Sequence, residues 1–408
     1  MPVADTKTIL SNFASTIPAT YLGQDRVGYL LENIEKLNSS ESIALRTLFN
    51  KFLTGMIERD ASDIEIGGHG NNSYVWLRIF GNKERVKEYP QFSTDESAIM
   101  IINLLNANQR KYLSLTKSLD FSYTYHYERK NIYVRFRANA YFDLDTLALN
   151  MRSINLSVRS IDSYGFHPNV LKSLSHSYIK FGLTLVTGIT GSGKSSTLDA
   201  IIDAHNRTDP AHIVIIAAPV EFVHQSNTAL IRHREVGRDV LSFKDGVTQA
   251  LRQDPDIIVI GEMRDPDTII AALEVTDTGH KVFSTLHTSS AVESIDRIVA
   301  EVHPNEQERI RNRLADVLVA IVSQKLVPSL DGKRVLAKEV LIVTPSVKAA
   351  IKNNNTSEIY MMINQGSTSG MITMEQDLKR LYLNKKISLE NAISYANNKT
   401  VIQQILSA

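Results

Sequence analysis

The 408-residue sequence contains no cysteine and a single tryptophan. The missing thiols exclude disulfides, thiolate metal sites and cysteine nucleophiles, and with them any disulfide-stapled secreted scaffold. Net charge is nearly absent as well: 45 Lys and Arg face 44 Asp and Glu, giving +1. A protein that coats nucleic acid carries a marked positive excess, so no stable nucleic-acid binding is expected, although a local basic patch is compatible with the total. There is no run of about 18 apolar residues, which argues against a membrane-spanning helix. The opening residues have neither a basic start nor a long apolar core, so no signal peptide is expected and a cytoplasmic location is. Hydrophobic and charged fractions of 43% and 22% are globular proportions, and the length suggests two or three domains.

Residues 1–60 read as helical. Leu45, Leu48, Phe49, Phe52 and Met56 recur at three- and four-residue spacing, with Ser39 or Ser40 as the N-cap. From Ala61 the pattern changes to short strands. Ile64 and Ile66 flank Glu65, and 74–80 is β-prone. A helix beginning after Thr94 precedes further strands at 121–127, 131–140 and 153–159, which together make an α+β domain with an antiparallel sheet. Residues 161–168, punctuated by Gly165 and Pro168, read as a linker. Beyond it strands at 183–187, 212–217, 256–260 and 282–286 alternate with helices at 195–205, 243–251 and 268–277. That order predicts a parallel sheet covered by helices. After Asn305 the chain reads as mostly helical, apart from a hairpin joining 324–328 to 335–343 across Asp331-Gly332.

One motif carries chemistry by itself. Gly188-Ile-Thr-Gly-Ser-Gly-Lys-Ser195 matches G-x-x-x-x-G-K-[ST] between an apolar strand and a helix. Glycines let successive backbone N–H groups turn inward towards phosphate oxygens, and the helix adds the positive end of its dipole. Gly188, Thr190, Gly191, Ser192, Gly193, Lys194, Ser195 and Ser196 are the expected nucleotide-binding residues. Lys194 would reach the β- and γ-phosphates of ATP, and the Ser195 hydroxyl would ligate Mg²⁺. A second acid belongs with such a loop. Asp256-Ile-Ile-Val-Ile-Gly-Glu262 is an apolar strand ending in a carboxylate, expected beside the loop's own strand. Glu262 could hold the metal through water or polarise the attacking water.

These residues resemble the PilT/GspE superfamily of secretion ATPases, the motors of type II secretion, type IV pili and type IV secretion or conjugation. The string from Leu251 to Thr268, LRQDPDIIVIGEMRDPDT, is similar to that family's Walker B region, and Thr278 to Thr288 to its His box. Ser294–Ile298, Ser323–Leu326, Ala61–Ile64 and Gly370-Met371 match as well. Among its branches the chain looks like the compact DotB/TraJ-like group of type IVB secretion and conjugation. The resemblance implies an α/β protein with a RecA-like P-loop motor domain with parallel-rich sheet at 169–408, its carboxyl-terminal part helical. A PAS-like α+β amino-terminal domain would occupy 61–160, preceded by a helical extension at 1–60 that serves docking or packing. It implies a homohexameric ring, ATP bound between the two domains, and peripheral association with the inner membrane through secretion or pilus platform proteins. It also implies γ-phosphate contacts from His287 and from arginines on the strands before the linker. Arg135, Arg137, Arg152 and Arg159 lie there, with Arg137 and Arg152 as the candidates. His280 is expected as a structural link within the site.

Two departures matter. Where the family carries an acidic pair before Pro-hydrophobic-Glu-Phe, this chain has Ala217-Ala218-Pro219-Val220-Glu221-Phe222. Loss of a carboxylate that organises Mg²⁺ or water should lower hydrolysis more than binding. Glu221 survives and could compensate. Divergence within the branch, an engineered ATP-bound trap and an inactive motor all account for the two alanines. The pilus-retraction segment Ala-Ile-Arg-Asn-Leu-Ile-Arg-Glu is reduced at Ser346–Lys352 to its apolar and basic pattern, which favours secretion or conjugation over a pilus motor. A pilus assembly or retraction motor and a hydrolysis-impaired, ATP-binding assembly module are the alternatives.

Overall fold

The computed structural model describes residues 3–71, 74–79, 82–154 and 158–407. The chain divides into two compact units, Met1–Leu156 and Ser157–Ala408.

In the first unit, helices Val3–Ala14, Gln24–Asn33 and Ser39–Glu58 precede strands β1 (Ala61–Gly67), β2 (Trp76–Ile79) and β3 (Asn82–Arg85). Helices Thr94–Leu104 and Ala107–Thr116 follow, then β4 (Ser118–Tyr127), β5 (Ile132–Asp143) and β6 (Thr146–Ser153). The six strands form one sheet in the order β3-β2-β1-β6-β5-β4, every pair antiparallel. The helices of 1–60 are not a separate extension, as the sequence suggested. Leu10, Leu30 and Phe49 are fully buried in one core with Phe136 and Met151 of the sheet. The long helix starts one residue earlier than the serines implied: Asn38 accepts from the Glu41 amide while Glu41 accepts from the Asn38 amide, a reciprocal capping box.

The expected strand at 153–159 is displaced. β6 instead spans Thr146–Ser153, joined to β5 by a two-residue turn in which Leu144 and Asp145 have φ of 42° and 66°. Such a turn matches the twist of a hairpin but is normally written with Gly or Asn, so Leu144 concealed it. Of the remainder of the expected strand, 155–157 lie outside the described residues and Arg159 is in no strand. Phe80, the end of the expected strand at 74–80, also lies outside them.

In the second unit a 3₁₀ helix, Ile161–Tyr164, precedes the helix Pro168–Leu174, where Pro168 is the first helical residue rather than linker punctuation. Strands β7 (Gly182–Thr187), β8 (His212–Ala217), β9 (Leu230–Glu235), β10 (Ile257–Ile260), β11 (Lys281–Leu286), β12 (Leu318–Pro328) and β13 (Arg334–Ile342) follow. They pair in the order β13-β12-β7-β11-β10-β8-β9, all parallel except β12 with β13. Each of the four residues of β10 is buried, as are all six of β7 and of β11. Strands covered on both faces read as continuous apolar runs, which made them legible. β9, with Arg232, His233 and Arg234, did not. Helices Lys194–Thr208, Phe243–Ala250, Pro266–Asp277, Ala291–Ala300 and Pro304–Val317 cover the sheet, and five further helices between Pro345 and Ser407 end the chain. Among the described residues no helix is long and apolar enough to cross a membrane.

Candidate nucleotide site

In an open parallel sheet, ligands bind at the carboxyl ends of the strands. There β7 runs into the loop 188–193 and the helix Lys194–Thr208. Gly188, Gly191 and Gly193 have φ of 151°, 79° and 89°, and Gly193 caps the helix in the left-handed region. At Gly188 a Cβ would come within 2.4 Å of Ser192 Oγ and 2.5 Å of the Gln324 carbonyl oxygen, so the curl admits no side chain there. Lys194 is 9% exposed; its Nζ donates to the carbonyl oxygens of Gly188 (2.8 Å) and Ile189 (3.2 Å). Burial lowers its pKa, Glu262 and Glu221 act to raise it, and Arg264 lowers it further. The charges of both carboxylates are therefore felt at this ammonium.

The loop is braced from β12. Gln324 Nε2 donates to Ser192 O (2.8 Å), Gln324 Oε1 accepts from Thr197 Oγ1 (2.9 Å), and Ser323 Oγ pairs with Thr187 Oγ1 (2.7 Å). The sequence contained Ser323 and Gln324 as a motif but not this role, because the role depends on β12 pairing with β7. Ser192 Oγ is buried with no hydrogen-bond partner among the described residues. Ile189, Thr190, Ser195 and Ser196 are exposed around it. An orphaned hydroxyl, a backbone curl that excludes a Cβ and a lysine held at the loop carbonyls fit a polyphosphate. The exposed Ser195 hydroxyl and Glu262 are the groups that would hold its Mg²⁺, which when bound neutralises phosphate charge.

Glu262 follows β10 after Gly261. The expectation that its strand adjoins the loop's strand is corrected by the pairing: β11 lies between β7 and β10. Consequently His287, just past the end of β11, comes close to Glu262, and the charge of Lys194 is felt there. His287 Nε2 lies 3.7 Å from Glu262 Oε2. Burial first, then the charge of Lys194, lowers the His287 pKa, with Glu262 opposing, which favours the neutral imidazole. His280 is not in this site. It precedes β11, at the opposite end of the strand, where its Nδ1 is 3.0 Å from Thr278 Oγ1 and 3.2 Å from the Val275 carbonyl oxygen.

Glu221 sits in a pinned loop. The Val220 amide donates to Glu235 (3.2 Å), and the buried His224 pairs through Nε2 with Asp199 (3.1 Å) on the helix after the P-loop. Ala217 ends β8 against Gly261, whose hypothetical Cβ would lie 3.3 Å from Ala217 Cα. A carboxylate at 217 would thus adjoin the backbone leading to Glu262. One charged residue of the site escaped the sequence reading: Arg264, whose Nε lies 2.6 Å from Glu262 Oε2.

Arg137 and Arg152 belong to the first unit, on β5 and β6, directly opposite one another in register. Arg152 Nε donates to the buried Asp63 (2.7 Å), and Arg78 lies 3.6 Å from the same carboxylate. Asp63, Arg152 and Arg137 thus form a row across β1, β6 and β5.

Comparison with known proteins agrees with the fold. The chain is 40% identical over 323 residues to the twitching motility protein of Neisseria gonorrhoeae, covering 79% of this chain and 84% of that protein. It is 39% identical to the type IV pilus retraction ATPase PilT of Pseudomonas aeruginosa, over 78% of this chain and 89% of that one. The crystal structure of the pilus retraction motor PilT with bound ADP superposes with a TM-score of 0.77 at 34% identity, covering 87% of this chain and 98% of that chain. The ATPase DotB of Legionella pneumophila gives 0.67 at 26%, covering 88% and 96%. The family model described as type II/IV secretion system protein matches residues 38–407. With two sheets that superpose on PilT and DotB and a match spanning nine-tenths of its length, the chain belongs to the type II/IV secretion system protein family.

Proposed function

We propose that this chain is an ATP-driven motor of type IV pilus dynamics. ATP·Mg²⁺ would bind at 188–196 and be hydrolysed there. Lys194 serves as the ground-state cation, Glu262 takes the proton of the attacking water, neutral His287 contacts the γ-phosphate, and Glu221 supports the water or metal. The family resemblance adds Arg137 and Arg152 as further cations for the γ-phosphate. The working form is a homohexamer at the cytoplasmic face of the inner membrane, held there by platform proteins. The observation that carries the reading is the 40% identity to a twitching motility protein over four-fifths of the chain, together with the braced P-loop.

The pilus reading takes precedence over type IVB secretion or conjugation, which the reduced segment at Ser346–Lys352 favoured in the sequence. That helix, Pro345–Lys352, keeps Val347 and Ile351 fully buried, so its apolar pattern is accounted for by packing. The secretion reading keeps support from the likeness to DotB. Ala217-Ala218 supports a third, in which nucleotide is bound tightly and hydrolysed slowly. Deleting the gene in its host decides between the first two. Loss of twitching with pili still on the surface supports the pilus motor. Intact twitching with loss of substrate transfer supports secretion.

A further inference from the structure

Hydrolysis of a phosphoanhydride spreads negative charge over the γ-phosphoryl oxygens, and a P-loop lysine alone is a weak answer to it. Arg264 is a second cation at the site that no role above uses. It lies two residues beyond Glu262 and one before Asp265, which caps the next helix by accepting from the Thr268 amide (2.8 Å) and hydroxyl (2.8 Å). Its backbone is therefore anchored, while its side chain is 68% exposed. The guanidinium is held by Glu262 Oε2, the same oxygen that faces His287. Its charge is felt at both Lys194 and His287. The other guanidinium nearby, Arg297, donates to the His287 carbonyl oxygen (3.0 Å) and so serves the backbone.

A guanidinium paired through one nitrogen with a carboxylate keeps donors free for a second anion. An exposed arginine tethered by one such contact can turn on its stem at the modest cost of a solvent-exposed ion pair. These facts combine into one device. We propose that Arg264 is a catalytic residue of the hydrolysis proposed above: it leaves Glu262 for the γ-phosphoryl oxygens and so brings positive charge to the transition state. In that step the water oxygen bonds to the γ-phosphorus as the bond to the β,γ-bridging oxygen breaks. The bridging oxygen leaves on ADP with the electron pair, and Glu262 takes the water proton.

The test measures affinity for ADP alone, and for ADP with Mg²⁺ and aluminium fluoride, a planar mimic of the transferring phosphoryl group. Wild type, Arg264→Ala and Arg264→Lys are compared as full-length chains. All three are expected to bind ADP within about twofold of one another, because the P-loop is intact. The fluoride complex should weaken by at least about tenfold in Arg264→Ala and partly recover in Arg264→Lys; kcat should fall at least about 100-fold in Arg264→Ala with KM little changed. An unchanged fluoride complex overturns the proposal, and so does faster hydrolysis in Arg264→Ala, which would make Arg264 only a brake on Glu262. The inference rests on the nucleotide reading, and failure of that reading is separately visible: wild-type chain would then not bind ADP at all.

Discussion

Glu262, Lys194 and His287 come from three different strand ends, and only the sheet order brings them together. All three were named from the sequence, Lys194 and Glu262 from their motif strings and His287 from the family resemblance; the distances between them were not legible. Arg264 stood in the same string as Glu262 without a role, since an arginine after an acidic residue says nothing about which way it turns. The alanines at 217 and 218 are the residue-scale puzzle. Ala217 adjoins Gly261, so an acid there would add negative charge next to the residue that precedes Glu262. Ala217→Glu is expected to raise single-turnover hydrolysis by roughly tenfold while leaving nucleotide affinity nearly unchanged. Equal rates, in a quench-flow comparison with wild type, would mean that Glu221 already fills the role.

At the scale of elements, periodicity and capping served well where a strand or helix is buried on a plain pattern and failed where tertiary pairing decides. Every residue of β7 is buried, and the run was visible. β3 is exposed throughout and exists only by pairing with β2, and β6 was displaced because Leu144 and Asp145 make a tight turn without glycine. β13 shows how an element can carry an unexpected charge. Glu339, inside the hairpin foreseen at 324–343, is 2% exposed and accepts from the Ala291 amide (2.8 Å), fixing the start of the helix that follows the His287 loop. Burial is the main cause that pushes its pKa up to about 7, with the charge of Glu375 adding to it. The folded state thus holds this proton to higher pH than the unfolded chain, whose Glu titrates at 4.5. Stability from this group is full below that lower value and is lost as pH rises towards 7. Glu339→Gln, which keeps an acceptor for the amide, should remove this loss. Relative to wild type it should gain about 1 kcal/mol per pH unit between the two values and no more above 7. Urea titrations at a series of pH values read this directly, and a constant difference across the range would contradict it.

For the whole molecule, the division into an amino-terminal antiparallel unit and a parallel-sheet unit was foreseen, but its first boundary was not. The helices of 1–60 looked like an appendage because their pattern ends where strands begin. Leu10, Leu30 and Phe49 show that they complete the core of the first unit, and a sheet with one apolar face requires such a cover. In the second unit β7, β11 and β10 converge on one loop, and β12 braces it through Ser323 and Gln324. Pilus motors and the ATPase DotB are both similar to this chain, so the fold by itself does not say what is moved. The most direct measurement is calorimetric titration of ATP·Mg²⁺ into the full-length chain and into Lys194→Ala. Binding by wild type, weakened by at least about 100-fold in Lys194→Ala with the fold intact by circular dichroism, is the expected result; absence of heat in wild type, or equal affinity in both, would contradict it.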